Sequence, residues 1–396
     1  MSQPTDADLR ARPRVVHLTT TDMSLDWLLA PQLRAFIEAG FEVVGMSAGG
    51  PHVPALEAAG VRHVALDALT RSTNPLDDLR AAVQLWRALR VERPDILHTH
   101  NPKPGVLGRI AGRLAGVPLI VNTQHGLYAQ QTDRWRRRLP VYVVERIAAA
   151  FGHVELVQNP EDVYTLVHTL RVPSRRVHLL GNGIDLERFT PTAVPIEVRR
   201  RLRAEWGIAP NEVVVGVVGR LVREKGIVEI LEAAHRLHAD GVPARVVIIG
   251  PTDPDKHDAI DGDLFARATA DGVILAGRRD DMPECYSAMD LFLTASWREG
   301  FPRSAMEAAA MGLPIVATDI RGNRQVVHHG LNGLLVAVRS PEALADAVTW
   351  LVAERDRWPT FGAAGIVLAE ADFDQRTVIA RTLAAYRGEP IPETRR

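Results

Sequence analysis

Short apolar runs alternate with amphipathic helical stretches along nearly the whole chain. The first series begins with an apolar run at Arg14–Thr19 and closes with one at Arg176–Leu180, and a second series starts at Glu212–Val218. Strands that are apolar at successive positions are buried on both faces, which is the pattern of parallel sheets covered by helices. The alternation therefore predicts an α/β protein with doubly wound, Rossmann-like sheets.

The alternation breaks once, between Gly181 and Asn211, where turn-forming residues and an exposed crossing at Thr190–Pro195 replace it. A chain of 396 residues is also too long for one ordinary hydrophobic core. We predict an N-terminal domain at 1–190, a C-terminal domain at 191–372 and a terminal helix within 373–396 that packs back on the N-terminal domain. Two such domains would enclose a cleft, with ligands at the carboxyl ends of the strands.

Charge and cysteine content exclude some partners and compartments. The formal net charge of −1 gives no reason to expect nucleic acid as a partner. The single cysteine, Cys285, cannot form an internal disulfide, as is usual in a reducing compartment. No stretch has the apolar length of a signal peptide or of a membrane span. We expect a cytoplasmic protein that can still bind the inner face of a membrane.

One stretch, Glu299–Glu307, has the features of an anion site. It follows an apolar, strand-like run and leads into a helical pattern, and the start of a helix offers free N–H groups and a positive dipole end to an anion. Carboxylates eight residues apart suit sugar and ribose hydroxyls. The stretch therefore suits a nucleotide sugar with its diphosphate at the helix start. Alternatively, Ser304 and Glu307 form a capping box, in which Glu307 only satisfies backbone donors.

Two cations follow the first strand of the second series. Arg220 and Lys225 come after Gly219, which we expect to let the chain turn, and so lie at the carboxyl end of that strand. Arginine can neutralise a diphosphate leaving group through a forked contact, and lysine can do so as a point charge. The alternative is a solvated basic loop, which the presence of the Glu299–Glu307 stretch in the same half makes less attractive.

These motifs resemble those of the retaining glycosyltransferases of family 4, also called glycosyltransferase group 1, which have the GT-B fold. The shared features are Gly-Arg-Leu at 219–221 with Lys225, Glu-Gly-Phe-Pro at 299–302 with Glu307, Asn-Gly-Ile-Asp at 182–185, and the strand Leu313–Thr318. Their order matches that family over nearly the whole chain. The resemblance implies an acceptor domain followed by a donor domain.

The resemblance also implies roles for the donor half. Arg220 and Lys225 would bind the donor's phosphates, Glu307 the ribose hydroxyls, and Glu299 the hydroxyls of the transferred sugar. The remaining donor-binding candidates are Gly300, Phe301, Arg303, Ser304 and Arg278. Backbone N–H groups from Phe301 to Ser304 would complete the phosphate cradle, except at Pro302, which has none. Arg278 follows the strand where similar enzymes seat the base, and it is the weaker choice.

Three histidines follow strands of the first half. His125 comes after the strand Leu119–Thr123, where similar enzymes have a histidine near the reacting carbon; we interpret it as a hydrogen-bond partner of the donor sugar, against the alternative of a loop histidine with no role. His98 and His100 end the preceding strand, and with Asn101 they could contact either substrate. Two histidines at i and i+2 could also begin a metal site, but the sequence gives no evident third ligand.

The loop after the first strand departs from the family pattern. Many relatives have glycines there, whereas this chain has Thr19–Ser24. Ser24 is a candidate for contact with the acceptor, and it also suits a helix cap.

Two Asp-x-Asp patterns, Asp253–Asp255 and Asp261–Asp263, resemble the metal-binding motif of the other glycosyltransferase fold. We interpret them as solvated turn residues. Because Arg220 and Lys225 can neutralise the leaving group, we expect no metal and no other cofactor.

The most basic local run comprises Arg134, Arg136, Arg137 and Arg138 around Trp135. Tryptophan with arginines suits the surface of an anionic membrane, where similar enzymes meet lipid-linked acceptors. The alternative is a solvated helix start.

We therefore predict a retaining glycosyltransferase that moves a sugar from a nucleoside diphosphate donor, UDP rather than GDP, to an acceptor hydroxyl. Its catalytic candidates are His125, Arg220, Lys225 and Glu299. Synthesis of surface polysaccharide or lipid-linked oligosaccharide is the role that the family favours, and glycosylation of a small metabolite comes second. A nucleotide-sugar epimerase shares the architecture, and an inactive partner subunit is a third reading.

Overall fold

The computed structural model of the chain describes residues 12–70, 74–100, 102–129, 133–252, 258–260 and 262–392. Contacts divide the chain into two compact units, which within the described residues are 12–180 with 378–392, and 181–377. The chain leaves the first unit after Leu180 and returns to it at Val378. Each unit has its own sheet and its own hydrophobic clusters.

The first unit is built on a parallel sheet of seven strands. These are β1 (Arg14–Thr21), β2 (Glu42–Ala48), β3 (Arg62–Ala65), β4 (Ile96–His100), β5 (Leu119–Gln124), β6 (Val154–Val157) and β7 (Val177–Leu179). Their order across the sheet is β3-β2-β1-β4-β5-β6-β7, and each neighbouring pair is parallel. All five residues of β4 are buried, as a strand covered on both faces requires.

Helices fill the connections between these strands. They are α1 (Asp22–Ser24), α2 (Ala30–Glu38), α3 (Val53–Ala58), α4 (Pro75–Glu92), α5 (Pro102–Ala115), α6 (Trp135–Phe151) and α7 (Pro160–Tyr164). Two π-helical segments, Leu25–Leu29 and Thr165–Thr169, and a 3₁₀ segment at Ser174–Arg176 complete the unit.

The two faces of this sheet are covered by different helices. Leu85 of α4 and Ala111 of α5 pack with Leu18 of β1 on one face. On the other face Phe36 of α2 and Tyr386 of the last helix pack with the strands. The strand order reverses between β1 and β4, so this pair is the topological switch point of the first unit.

The second unit repeats the arrangement with six parallel strands. These are β8 (Val213–Val218), β9 (Ala244–Ile249), β10 (Ile274–Gly277), β11 (Leu291–Thr294), β12 (Ile315–Thr318) and β13 (Gly333–Val336). Their order is β10-β9-β8-β11-β12-β13, which places the switch point between β8 and β11. The prediction of an α/β protein with two doubly wound sheets is confirmed.

The helices of the second half follow the same logic. They are α8 (Ile196–Glu205), α9 (Ile227–Ala239), α10 (Gly262–Ala270), α11 (Met282–Ala288), α12 (Arg303–Ala310), α13 (Pro341–Ala353), α14 (Trp358–Asp372) and α15 (Gln375–Arg387). Four 3₁₀ segments lie at Pro191–Ala193, Arg223–Lys225, Asn323–Gln325 and Arg355–Arg357. From Val378 onward α15 belongs to the first unit. Among the described residues, none of the helices combines the length and the hydropathy needed to span a bilayer.

Candidate active site

The second unit places its candidate residues at the carboxyl ends of two adjacent strands, β8 and β11. Ligands of open α/β sheets bind at this point, where the strand order reverses. Arg220 comes two residues after β8, Lys225 ends the 3₁₀ segment that follows, and Glu299 lies in the loop after β11. Residues that are far apart in sequence thus meet at one edge of one sheet.

Lys225 and Glu299 form an ion pair in which Nζ of Lys225 donates to Oε1 of Glu299. The same oxygen accepts a hydrogen bond of 2.9 Å from Oγ of Ser296. The two charged side chains keep exposed fractions of 27% and 17%, so a ligand can reach both. An ammonium group and a carboxylate side by side can hold a phosphate and a sugar hydroxyl, respectively.

The turn after Lys225 depends on Gly226 and not on Gly219. Gly226 has a φ of 70°, and a Cβ atom at this position would lie 2.1 Å from the carbonyl oxygen of Ala295, just after β11. Gly219 is not among the residues with positive φ, and a Cβ there would meet open space. The chain does bend at Gly219, directly after β8, as predicted, but the close approach of two loops at Gly226 is what restricts where Lys225 lies.

Glu307 lies in the second turn of α12 and is held by Tyr286 of α11. The Tyr286 hydroxyl donates to Oε2 of Glu307 at 2.8 Å and lies 3.1 Å from the carbonyl oxygen of Ser304. The N-cap of α12 is Pro302, and Ser304 is already inside the helix. The capping-box alternative is therefore wrong: Glu307 pairs with a tyrosine on a neighbouring helix.

Burial raises the pKa of Glu307, while Arg303, the Tyr286 hydrogen bond and Arg188 lower it. Burial is the largest of these effects, so the pKa stays above its ordinary value. Arg188 has no motif of its own in the sequence, and its guanidinium also donates to the carbonyl oxygen of Asp280 at 2.9 Å. Glu307 is thus a half-buried carboxylate with a raised pKa, and groups of this kind are candidates for control of ligand affinity by protonation.

The loop between β11 and α12 is anchored by Phe301. Its side chain is buried and packs edge-on against Phe373, with 5.8 Å between the ring centroids. Its carbonyl oxygen accepts a hydrogen bond of 3.2 Å from Nδ2 of Asn182, within the Asn-Gly-Ile-Asp motif. Gly300 precedes this anchor, and Arg303 and Ser304 form the first turn of α12. The predicted phosphate cradle thus lies at a helix start that the core holds in place.

Arg278 lies apart from the other donor candidates. It follows β10, the edge strand, which is separated from β8 by β9. Its side chain is exposed, and its guanidinium contacts Asp280 at 3.3 Å. Its neighbour Arg279 is fixed by Asp281 and Glu205. The structure therefore does not bring Arg278 to the Lys225–Glu299 pair.

Residues at the end of β12 and just after it support the Glu299 loop, and sequence reasoning missed them. Oγ1 of Thr318 donates to the carbonyl oxygen of Ser296 at 2.6 Å. A Cβ atom on Gly322 would lie 2.6 Å from the carbonyl oxygen of Glu299, so only glycine fits there. Asn323 is fully buried and donates to the carbonyl oxygen of Thr318 at 2.8 Å. The pair Gly322-Asn323, four and five residues after the end of β12, was the available signal.

The first unit collects four histidines around its own switch point. His17 on β1 is in register with His98 on β4, and His100 lies two residues further on the same face. His100 Nδ1 lies 3.1 Å from Nε2 of His125, which follows β5 and is half-buried. His98, His100 and His125, which the sequence predicted, are thus brought together. His17 was not predicted, because it lies inside an apolar run.

All four imidazoles are held neutral by their surroundings. Burial lowers the pKa of His17 to about 3 and that of His125 to about 4. Burial, with the neighbouring histidines, lowers the pKa of His98 and His100 well below the ordinary value. The site therefore offers neutral hydrogen-bonding rings at physiological pH.

His17 also supplies the third nitrogen that the sequence did not reveal for a metal site. Ligand atoms of His17, His98 and His100 all lie within 4.8 Å of one another. Of the two Asp-x-Asp patterns, Asp253, Asp255 and Asp261 lie outside the described residues. Asp263 is exposed in the first turn of α10, on the surface as expected.

The loop after β1 does not use Ser24 as a cap. Ser24 ends the short helix α1, and its hydroxyl lies 3.2 Å from Oγ1 of Thr21. Ser24 stands at the N-cap position of the π-helical segment Leu25–Leu29, but its side chain makes no capping hydrogen bond there. Asp22 holds the loop instead, accepting hydrogen bonds from the backbone N–H groups of Met23 at 2.8 Å and His52 at 2.7 Å. Asn101, the other acceptor candidate of this unit, lies outside the described residues.

The basic run lies at the start of α6. Arg134 occupies the N-cap, and Arg136 and Arg137 follow as exposed residues of the first turn. Trp135, Leu139, Val143 and Ile147 recur every four residues, with exposed fractions of 62%, 55%, 48% and 50%. Arg138 packs over the ring of Tyr142 at 5.9 Å. The helix thus presents an apolar stripe beside a cationic end.

Family models match both halves of the chain. The family described as Glycosyltransferase Family 4 matches residues 29–188, and that described as Glycosyl transferases group 1 matches residues 212–354. The first match contains three of the four clustered histidines, His98, His100 and His125, and the second contains Arg220, Lys225, Glu299 and Glu307.

Individual relatives agree with these matches. The UDP-Gal:alpha-D-GlcNAc-diphosphoundecaprenol alpha-1,3-galactosyltransferase of Escherichia coli is 31% identical over 294 residues, covering 73% of this chain and 74% of its own. The GDP-mannose-dependent alpha-mannosyltransferase of Mycobacterium tuberculosis is 31% identical over 282 residues and 69% of each chain. HepE of Anabaena, solved with UDP, superposes with a TM-score of 0.77 at 20% identity over 94% of this chain and 100% of its own, which shows the GT-B fold. The chain is therefore a glycosyltransferase and belongs to family 4, the group 1 glycosyltransferases.

Proposed function

We propose that the protein transfers a hexose from a nucleoside diphosphate sugar to an acceptor hydroxyl, with retention of anomeric configuration. The observation that carries this proposal is the Lys225–Glu299 ion pair at the switch point of the second sheet. It places a cation for the departing diphosphate next to a carboxylate for the sugar, on the same edge as the start of α12.

Each charged group of this edge has a task in the proposed reaction. Arg220 and Lys225 neutralise the diphosphate as the glycosidic bond breaks, which is electrostatic stabilisation of the leaving group. Glu307, oriented by Tyr286, accepts hydrogen bonds from the ribose hydroxyls. Glu299 accepts hydrogen bonds from the sugar. Glu299 is already paired with Lys225, so it does not resemble the free nucleophile of a retaining glycosidase.

We propose UDP rather than GDP as the donor nucleotide. The E. coli relative is named for UDP-Gal and covers the larger share of this chain, whereas the M. tuberculosis relative is named for GDP-mannose. HepE was solved with UDP. Arg278, which follows the edge strand β10, remains the proposed neighbour of the base. Because β10 is separated from β8 by β9, we propose that backbone atoms also contact the base.

On the acceptor side, we propose a glycan of surface polysaccharide or lipid-linked oligosaccharide synthesis. The E. coli relative is named for a diphosphoundecaprenol acceptor. His125 is the proposed partner of a sugar hydroxyl, and Ser24, His98, His100 and Asn101 are the other acceptor-side candidates. Neutral imidazoles suit this task, since a sugar hydroxyl both donates and accepts hydrogen bonds.

A lipid-linked acceptor fits peripheral attachment of α6 to an anionic membrane. Arginines at the start of a helix are repelled by the positive end of its dipole, so four of them there destabilise the helix. A solvated helix start would give no reason to keep them. A groove of about 470 Å³ between α4 and α5, on the same face of the sheet as α6, adds exposed apolar surface from Leu79, Trp86 and Leu114. Apolar side chains beside arginines are what anionic lipid attracts.

Transfer is tested with Lys225→Ala and Glu299→Ala, assayed with a panel of UDP- and GDP-sugars. We expect each variant to lose most transfer and to keep its circular dichroism spectrum. Arg223→Ala is the matched control, because Arg223 is exposed in the same 3₁₀ segment. Near-normal turnover of Lys225→Ala would reject the proposal. Conversion of the donor without any acceptor would favour the epimerase, and the anomeric proton of the product reports retention.

Membrane attachment is tested by co-sedimentation with vesicles of anionic phospholipid. Arg136→Glu/Arg137→Glu should weaken binding by at least about tenfold, since each basic residue contributes about 1 kcal/mol at such a surface. Arg200→Glu/Arg201→Glu, an exposed pair on α8, gives the same change in net charge at another place. Equal effects of the two double variants, or equal binding to neutral vesicles, would contradict a specific role of α6.

A further inference from the structure

A continuous chain of hydrogen bonds runs behind His125 through the first unit. His125 Nε2 lies 3.1 Å from Nδ1 of His100, and His100 Nε2 lies 3.0 Å from Nδ1 of His17. Nε2 of His17 lies 3.2 Å from the hydroxyl of Tyr386. That hydroxyl lies 2.5 Å from Nδ1 of His98, whose Nε2 lies 2.7 Å from Oγ1 of Thr123.

The fold builds this chain from distant parts of the sequence. The register of β1 with β4 sets His17 beside His98, and α15 covers them with Tyr386. The rings of His98 and His100 pack with 4.2 Å between centroids, and those of His17 and His100 with 5.3 Å. His17, His98 and His100 are at most 1% exposed. Water therefore cannot replace a missing partner at these positions.

The protons of this hydrogen-bond chain can be arranged in only two ways that satisfy every hydrogen bond. A neutral imidazole donates from one nitrogen and accepts at the other, and a tyrosine hydroxyl has one proton to donate. In one pattern every histidine carries its proton on Nε2, and Tyr386 donates to His98. In the other every histidine carries it on Nδ1, and Tyr386 donates to His17. Both patterns satisfy all five hydrogen bonds with every ring neutral, as the lowered pKa values of these histidines require.

The two patterns differ at the exposed end of the chain. In the first pattern Nδ1 of His125 is an acceptor, and in the second it is a donor. Gln158 also hydrogen-bonds the His125 ring, and a substrate hydroxyl would compete with that amide. At the other end of the hydrogen-bond chain, Thr123 is buried, so no proton can enter there from solvent and be passed to a substrate at His125. The hydrogen-bond chain can only exchange one pattern for the other.

A metal ion would use the same nitrogen atoms. His17, His98 and His100 have a spacing compatible with a metal-ligand set, yet each of their six ring nitrogens already has a hydrogen-bonding partner in the chain. A cation coordinated by His17 would break one of the two hydrogen bonds that His17 makes, either to His100 or to Tyr386. A bound metal ion and an intact hydrogen-bond chain are therefore mutually exclusive, and experiment can distinguish them.

We propose that His17, His100 and Tyr386 are positioning residues that couple the tautomer of His125 to α15, so that His125 can present either a donor or an acceptor to a sugar hydroxyl without becoming charged. The use of His125 by substrate rests on the proposed function. The coupling itself concerns only the protein and can be measured without any substrate.

The experiment is nitrogen NMR of protein with ¹⁵N-labelled histidine, at neutral pH and without nucleotide. In the native protein we expect ring nitrogen shifts of His125 between those of the two pure tautomers. Tyr386→Phe removes the hydroxyl from the middle of the chain and should move the tautomer ratio of His125, three hydrogen bonds away, by at least about twofold. Tyr164→Phe is the control, because its ring packs on His168 outside the chain. It should leave His125 unchanged.

Two results would overturn the proposal. One is a His125 tautomer ratio that is the same in Tyr386→Phe as in the native protein. If Tyr386→Phe fails to fold, an unchanged ratio in His17→Gln has the same meaning. The other is a stoichiometric metal in the purified protein with shifts of metal-bound histidine. In the transfer assay we expect Tyr386→Phe to lower kcat by about tenfold, the effect of one lost hydrogen bond, with the KM for the donor unchanged. A protein without transfer activity would still pass or fail the NMR test.

Discussion

The hydroxyl of Tyr286 donates to Oε2 of Glu307 at 2.8 Å and so joins α11 to α12 beneath the candidate donor site. Tyr286 is fully buried, and burial together with the Glu307 charge raises its pKa well above the ordinary value. The hydroxyl therefore remains a donor throughout the physiological range. One hydrogen bond thus fixes the direction of the carboxylate that we assign to ribose.

We predict that Tyr286→Phe moves the loss of donor binding to higher pH. Burial keeps the pKa of Glu307 raised, and the Tyr286 hydrogen bond opposes that rise. Without the hydroxyl the pKa rises further, so on acidification the carboxylate is protonated earlier and the nucleotide is released earlier. Calorimetric titration with UDP at several pH values, from about 5 to about 8, measures this shift. An unchanged profile, as expected for Tyr164→Phe, would contradict the role of Tyr286.

We predict that Gly226→Ala is far more damaging than Gly207→Ala. Both glycines have positive φ, at 70° and 65°, so both variants carry the backbone cost of about 1 kcal/mol. Only at Gly226 would the new Cβ atom lie 2.1 Å from a carbonyl oxygen, that of Ala295. The loops that hold Lys225 and Glu299 must then separate, at a total cost of roughly 3 kcal/mol or more. Urea unfolding and UDP affinity of the two variants check this difference, and equal losses would disprove it.

The positions of the candidate donor-binding residues could be predicted because these residues are close together in sequence. Glu299 and Glu307 lie on one strand–loop–helix unit, and the apolar runs placed that unit correctly at the end of a buried strand. Their partners could not be predicted. Tyr286 is one aromatic residue within a helical pattern, and only the packing of α11 on α12 shows that it reaches Glu307.

The histidine cluster of the first unit depends even more on tertiary structure. His17 is a polar residue inside an apolar run, and Tyr386 lies 369 residues away from it, in the last helix. A strand pattern assigns both faces to the core, so it cannot show that one face carries three histidines next to His125. Register and the return of α15 to the first unit decide this, and neither is encoded in any short motif.

We predict that Arg109→Met strongly destabilises the first unit. Arg109 of α5 is fully buried and forms ion pairs with Glu145 at 2.6 Å and Glu155 at 2.7 Å. Removal of the cation leaves two buried carboxylates without compensation, a loss of about 3–5 kcal/mol in unfolding free energy at neutral pH. Burial already raises the pKa of Glu155, and the variant raises it further, so this carboxylate is protonated more easily as pH falls.

The loss caused by Arg109→Met should therefore be smaller at about pH 5 than at about pH 8, because the raised carboxyl pKa favours the protonated form at the lower pH. Urea unfolding at the two pH values measures it. Arg113→Met, an exposed position on the same helix, should change stability by less than about 0.5 kcal/mol at either pH. A loss for Arg109→Met that is independent of pH would mean that lost packing, and not uncompensated charge, is its cause.

We predict that the buried histidines make the first unit sensitive to acid. Burial holds the folded-state pKa of His17 at about 3 and that of His125 at about 4, whereas an unfolded histidine has its ordinary value of about 6.5. The unfolded chain therefore binds more protons as pH falls below about 6.5. Stability is highest above that pH, declines through the interval, and stops declining only below the folded-state values.

His17→Asn isolates one of these protons, because an amide keeps a donor and an acceptor but does not titrate in this range. Between about pH 6 and 5 the native protein should lose about 1.4 kcal/mol more per pH unit than the variant, the contribution of one proton taken up on unfolding. Unfolding by urea at several pH values gives both slopes. His238→Asn replaces an exposed histidine of α9 and should leave the slope unchanged. A native slope no steeper than that of His17→Asn would mean that His17 is protonated in the folded protein, and the neutral hydrogen-bond chain behind His125 would then be wrong.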